Sequence, residues 1–262
     1  MHQNFIHVGA IPNRGEDRWQ IRIHFLFDLV TIADQTTTGA YNFTQMDVLM
    51  ERLVANRLKP GFELMGSPEY TNGTAVFTSF DDGAQVAAWR SLVAQTAQRY
   101  IAKFGVDEVR TWNWETWNEI ENGDWDQTTF TPVGFRNYYD ACAAGLADAD
   151  PRLRFGGPGN CKFKQHDPKH PTPMYCFPLL SHMQNGTSFF GGPVRKADFM
   201  AQHAKGGPAP IDQIHTILQK EYELLHALHS SFPQFFTSES KMTFVNDEVR
   251  VFIDSFTSHD VF

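Results

Sequence analysis

Several features that would declare a protein's class are missing from this sequence. Cysteine is scarce, with three in 262 residues (Cys142, Cys161 and Cys176). So few cannot build a dense disulfide framework, and an odd number leaves at least one thiol unpaired, so cysteine usage does not decide the redox compartment. No apolar run reaches the about 20 residues that a membrane-spanning helix needs, and no low-complexity tract occurs. The start, Met1-His2-Gln3-Asn4, has neither the basic head nor the apolar core of a signal peptide. It reads as the start of a cytosolic chain, or of one that lacks its true beginning. Positive charge is in deficit: 22 Lys and Arg face 30 Asp and Glu, a net charge of -8, which argues against a nucleic-acid binder. No GxGxxG follows a strand-like run, and Gly156-Gly157-Pro158-Gly159 lacks the Lys-Ser/Thr of a phosphate-binding loop. HExxH and GxSxG are absent too, which removes two common hydrolase designs.

What is present points to a large folded core. Hydrophobic residues make up 42% and aromatics 14%, with 23 Phe and 6 Trp. The length suits one large domain over residues 1–262, a barrel included. The 11 His titrate near pH 6.5 when unperturbed. In an acidic compartment they move the net charge towards positive and make an anionic substrate tolerable. Three sequons occur at Asn42-Phe43-Thr44, Asn72-Gly73-Thr74 and Asn185-Gly186-Thr187; each is a glycan acceptor only in a secreted chain.

Short apolar runs alternate with helical patterns. Strands are predicted at Phe5 to Val8, Ile21 to Phe25, Phe62 to Met65, Val109 to Glu119, Leu153 to Phe155, Ala197 to Gln202 and Lys241 to Val245. A helix is predicted from Gln45 to Leu58, with Thr44 and Asp47 spaced as a capping box. Another runs from Asp82-Gly83 to Phe104 and stops at Gly105. A third starts at Thr131-Pro132, a cap followed by Pro at the first helical position. A weaker pattern covers Met174 to Met183. The last helix puts Ile211, Ile214, Leu218, Leu225 and Leu228 on one face. Strict alternation implies a parallel sheet, and seven units without a nucleotide loop indicate an α/β fold, a (β/α)8 TIM barrel lacking its eighth unit.

Chemistry in such a barrel sits where strands end. His24, Asn118-Glu119, His203 with Lys205 beyond it, and Asn246-Asp247-Glu248 all fall there. In the Trp-rich run from Thr111 to Glu119, a Trp face suits the apolar side of a sugar ring and an Asn amide suits a hydroxyl. A Glu in that setting suits proton donation. The plainer reading is a buried strand that ends in polar residues. Glu119 and Glu248 together supply the carboxyl pair that glycoside hydrolysis needs. Glu115 competes with Glu119 but lies inside the strand, where buried hydrogen bonds are expected. Glu239 competes with Glu248 but precedes its strand. Cys161, His166 and His170 have ligand-like spacing, yet no fourth ligand is evident, so no metal or cofactor is expected.

Gly61-Phe62-Glu63-Leu64-Met65-Gly66-Ser67, Trp112 through Glu119, Asn137 through Cys142 and Gly156 through Gly159 closely resemble glycoside hydrolase family 39, specifically its iduronide-cleaving members. The resemblance runs from about Val8 to Glu248. It implies a retaining, lysosomal exoglycosidase that removes terminal α-L-iduronic acid from dermatan and heparan sulfate, with a glycosaminoglycan oligosaccharide as partner and neither nucleic acid nor membrane. By the same resemblance Glu119 is the acid/base, Glu248 the nucleophile, and His24, Asn118 and Lys205 line the sugar pocket. Asn42, Asn72 and Asn185 would carry glycans. The chain departs from the family pattern at Ile120, where Pro is usual, and after Glu248. The eighth strand and C-terminal β-domains are missing from it, so a C-terminally truncated catalytic barrel is expected. The alternatives left open are a catalytically silent sugar-binding fragment and the same fold acting on another glycoside such as a β-xyloside.

Overall fold

The computed structural model describes residues 20–32, 40–70, 73–122, 127–160, 175–203, 210–237 and 242–247. The elements run in the order β1 (Gln20–Ile23), β2 (Thr31–Ile32), β3 (Tyr41–Asn42), α1 (Thr44–Ala55), β4 (Lys59–Glu63), β5 (Glu69–Tyr70) and α2 (Gly83–Phe104). Then come α3 (Val106–Val109), β6 (Asn113–Glu115), α4 (Pro132–Ala149), β7 (Arg154–Gly156), α5 (Cys176–Asn185), β8 (Phe199–Gln202), α6 (Pro210–Ser231) and β9 (Thr243–Asn246).

Six of the strands form one sheet in the order β1-β4-β6-β7-β8-β9, and each neighbouring pair is parallel. The order never reverses, so the sheet has no switch point of the doubly wound kind. It curls instead into a half-barrel with helices outside, an incomplete TIM-barrel arrangement. The expected strand at Phe5 to Val8 lies outside the described residues. A second, three-stranded sheet, β3-β2-β5, was not expected. Its strands are two residues each, too short to show any periodicity. Among the described residues no helix is long and apolar enough to cross a membrane.

Local signals set most element ends. The Thr131 hydroxyl accepts from the Gly134 N–H at 2.9 Å and starts α4. Gly105, at φ 88°, ends α2. Three expectations need correction. Thr44 and Asp47 form no capping box: the Asn42 side chain accepts from the Thr44 N–H (3.0 Å) and hydroxyl (2.6 Å). Asp47 turns instead to Arg99, whose Nε donates to it at 2.8 Å. The strand predicted from Val109 to Glu119 shrinks to β6, because Val109 closes the short helix α3. On α6, Leu228 is buried but Leu218 is 62% exposed, so the predicted apolar face is not wholly covered.

The core is aromatic. Phe62 of β4 stacks on Trp114 of β6 at 4.6 Å between ring centres. Trp89 of α2 meets Phe27, Phe77 and Phe80 edge-on within 5.2 Å. Trp112, Trp114 and Trp117 are 0–1% exposed, so none offers a face to a sugar, contrary to the expectation for this run. Apolar burial of such large rings outweighs what a solvent-facing ring would contribute. Burial also pushes the Cys142 thiol up to about 12, which leaves it protonated and inert at neutral pH. Cys176 is disulfide-bonded.

Helices α2 and α4 cross closely at Gly145. A Cβ there would lie 2.5 Å from the Arg90 carbonyl oxygen and 2.8 Å from the Val93 Cβ. In an open helix Gly→Ala gains about 0.5–1 kcal/mol. Here overpacking reverses the sign, and Gly145→Ala is expected to lower stability by about 1–3 kcal/mol. The urea midpoint of the variant against wild type checks this.

Candidate active site

The C-terminal ends of five of the six sheet strands deliver a cluster of polar side chains. β1 supplies Arg22 and runs into His24, and β4 ends on Glu63. β6 ends on Glu115 and leads to Asn118-Glu119, while β8 and β9 lead to His203 and Asp247. Parallel pairing brings these ends to one side of the sheet, as in barrel enzymes.

Arg22 is the hub. Its Nε donates to Glu115 Oε2 at 3.2 Å, and its Nη2 donates to Glu115 Oε1 at 2.9 Å and to Asn118 Oδ1 at 2.8 Å. It also pairs with Glu63 and, at 3.0 Å, with Asp247. Burial opposes the charge on Arg22, but Glu115, Glu63 and Asp247 outweigh it and raise its pKa above the ordinary value. Burial pushes the Glu115 carboxyl well above the usual carboxylate range, against the pull of Arg22. One guanidinium among Glu63, Glu115 and Asp247 leaves a surplus of negative charge, and a proton on Glu115 relieves it. Among the described residues no group of three or more His, Cys, Asp or Glu is arranged to hold a metal ion. The cation between these carboxylates is Arg22 itself.

Two histidines flank the hub. His24 Nδ1 lies 2.5 Å from Glu63 Oε2, and its side chain is 41% exposed. His203 Nδ1 lies 2.8 Å from Glu119 Oε1 and its Nε2 3.3 Å from Asp247 Oδ1. The Glu119 side chain is 10% exposed, so it is walled in on most sides but reachable.

Backbone geometry aims Glu119. The residue sits at φ 43°, a left-handed conformation that costs about 1–3 kcal/mol outside Gly. Its N–H donates to the Gly159 carbonyl at 2.8 Å, and Asn118 and Gly159 form a parallel bridge. Only Gly fits at 159: a Cβ would lie 2.1 Å from Arg22 Nη2 and 2.9 Å from both Asn118 Oδ1 and Glu115 Oε1. Gly157 takes φ 91° beside Glu115 and Thr116. The glycine-rich run therefore lines the site and is no phosphate cradle.

Of the residues singled out from sequence, Asn118, Glu119 and His24 come together here. Glu115 lies within β6 and engages Arg22 in buried bonds, as expected for it. Glu248, Lys205, Glu239, Asn72 and the Cys161, His166 and His170 trio lie outside the described residues. Asn42 and Asn185 are exposed. Sequence reasoning placed His203 and Asp247 at strand ends without giving them a role, and it did not single out Arg22 or Glu63. The strand-end rule reaches Arg22 and Glu63 as well when applied to every charged residue within one position of a strand's last residue.

Arg22→Met would strand the buried acids without their cation. Loss of one partner of a buried pair costs about 3–5 kcal/mol, and that drop is expected in chemical denaturation. Glu115 gives a pH signature. Its folded pKa is raised, so above the ordinary value of 4.5 the unfolded chain releases this proton more readily than the folded one. The stability linked to it therefore falls as pH rises. Glu115→Gln is expected to flatten this part of the profile, so wild type loses stability relative to the variant between mildly acidic and neutral pH. Parallel profiles for the two proteins would show that Glu115 does not hold the proton.

The sequence profile of glycosyl hydrolases family 39 matches residues 10–255, and so continues past Glu248, where the resemblance was expected to stop. Mouse α-L-iduronidase is 42% identical over 236 residues, 88% of this chain and 34% of the relative. Human α-L-iduronidase is 42% identical over 234 residues, 88% of this chain and 33% of the relative. The crystal structure of a bacterial orthologue of human α-L-iduronidase superposes with TM-score 0.75 at 33% identity, covering 95% of this chain and 38% of that one. This chain thus spans about a third of the curated relatives it matches. A β-xylosidase from Geobacillus stearothermophilus is 28% identical over 126 residues, 46% of this chain and 25% of the relative. The profile match covers nearly the whole sequence and the strand order agrees with it, so the chain belongs to glycosyl hydrolases family 39.

Proposed function

We propose that this chain carries the catalytic barrel of a retaining glycoside hydrolase that removes terminal α-L-iduronic acid from glycosaminoglycans such as dermatan and heparan sulfate. The observation that carries the reading is the placing of Glu119: a mostly enclosed carboxyl beside Asn118 at the end of a barrel strand. The identity to mouse and human α-L-iduronidase supports the choice of sugar.

In this reading Glu119 gives its proton to the glycosidic oxygen as the bond from that oxygen to the anomeric carbon breaks. The Glu248 carboxylate forms the new bond to that carbon. Water then adds its oxygen to the carbon and returns a proton to Glu119, and the bond to Glu248 breaks. The Asn118 Oδ1 is held by Arg22, which leaves its amide hydrogens to donate to a ring hydroxyl. Glu63 holds His24 by Nδ1, which leaves Nε2 for the sugar. Lys205 pairs with the uronate carboxylate. The disulfide at Cys176 suits the secretory route to a lysosome, where Asn42, Asn72 and Asn185 would be glycan acceptors.

Phenyl α-L-iduronide and phenyl β-D-xyloside, compared at mildly acidic pH, test the sugar. Faster turnover of the iduronide is expected, and faster turnover of the xyloside favours the β-xylosidase relatives instead. Glu119→Gln is expected to lower kcat/KM on the iduronide by about 100-fold or more; an unchanged rate removes the assignment. Hydrolysis of neither sugar leaves the reading of a catalytically silent sugar binder.

A further inference from the structure

His203 takes no role in the scheme above, yet its side chain is 0% exposed and both of its ring nitrogens face carboxylates. Nδ1 is 2.8 Å from Glu119 Oε1 and Nε2 is 3.3 Å from Asp247 Oδ1. Asp247 Oδ2 is 3.0 Å from Arg22 Nε, and Arg22 Nη2 is 2.8 Å from Asn118 Oδ1. Asn118 is the chain neighbour of Glu119, so the contacts close into a ring through Glu119, His203, Asp247, Arg22 and Asn118.

The terminal torsion of a Glu side chain is broad and two-fold. Left alone, the Glu119 carboxyl would turn and present either oxygen to the substrate. The ring removes that freedom. Its backbone end is fixed by the hydrogen bond to Gly159, and its far end by the His203 imidazole, whose Nε2 lies 3.3 Å from Asp247, in ion-pair range but not hydrogen-bonded to it. A carboxylate oxygen accepts and a ring N–H donates, so Oε1 is occupied.

We infer that His203 is a positioning residue for the proposed acid/base: by holding Oε1 it fixes the orientation of the Glu119 carboxyl for proton transfer. The inference rests on the reading of Glu119 as proton donor. The proton passes between the Glu119 carboxyl and the glycosidic oxygen.

Leaving-group dependence separates positioning from packing. Phenolate needs protonation to leave, and 2,4-dinitrophenolate does not. The kcat/KM of each aryl iduronide reports the first glycosyl transfer. His203→Leu is expected to lower kcat/KM on phenyl α-L-iduronide by about tenfold or more, part of the about 100- to 10,000-fold that a general acid contributes. On the 2,4-dinitrophenyl iduronide the change is expected to stay within about twofold, because no acid is needed there. His203→Asn, whose amide nitrogen stands two bonds from Cβ as Nδ1 does, keeps the donor to Glu119 and restores most of the phenyl rate. Equal losses on both substrates, or no rescue by Asn, overturn the inference. If His203→Leu does not fold, His203→Met carries the same comparison, since it offers no donor to Glu119.

A second measurement needs no turnover. In 15N-histidine-labelled protein the His203 ring resonances, identified by their loss in His203→Gln, are expected to shift when Glu119 becomes Gln. An unchanged ring spectrum overturns the contact. Wild-type inactivity on both iduronides would refute the proposed function alone, because the ring spectrum still decides the contact.

Discussion

A guanidinium has donors enough for several acceptors but charge enough for one. Arg22 is placed where both facts matter. Its planar fork reaches Glu115 from two nitrogens and still serves Asn118, Glu63 and Asp247; a Lys, with a single nitrogen, could not span these partners. Those partners come from β4, β6, the turn after β6 and the end of β9, so one side chain ties four parts of the sheet together. Backbone ladders alone would allow these strand ends to spread, since short parallel strands share few hydrogen bonds there. Burial raises the Glu115 carboxyl, and the neighbouring Asp247 and Glu63 add to that rise against the pull of Arg22. Among the described residues, His24 and His203 contact the outer oxygens of Glu63 and Glu119.

Around that hub the shape of the site is made by main chain rather than by side chains. Gly156, Gly157 and Gly159 each lie where an added Cβ would meet another atom within 2.7 Å. The strand end of β7 can therefore press against Arg22, Glu115 and Phe199. Glu119 accepts a left-handed backbone because the chain there is held by its bond to Gly159. Local strain at Glu119 and the absence of side chains at 156, 157 and 159 belong to one arrangement: the loop after β7 is the wall that the β6 exit turn leans on.

Alternation of strands and helices was readable because elements of ten or more residues repeat their pattern several times, as α2 and α4 do, and because Thr131-Pro132 and Gly105 carry local chemistry. The two-residue strands β2, β3 and β5 repeat nothing and could not be seen. Asn118, Glu119 and His24 were legible from the rule that chemistry gathers at strand ends. Arg22 and Glu63 were not, since a charged residue within a strand reads as solvent-facing unless its partner is known, and their partners lie far along the chain. Likewise His203 and Asp247 gain meaning only from each other. Asp47 misled for the opposite reason: its spacing from Thr44 fits a cap, but Arg99 on another helix offers it a stronger partner.

Trp89, Trp112, Trp114 and Trp117 are all buried at 1% exposure or less. They sit in the ring-packed interior between sheet and helices rather than at the mouth where a sugar would lie. Their indole fluorescence is therefore a readout of the interior. Emission from these four should stay blue while the barrel wall holds and move red as it opens, and it should be nearly blind to whatever occupies the site. Among the described residues, these four indoles report folding of the interior, and a signal for a bound saccharide has to come from other groups, such as the histidines.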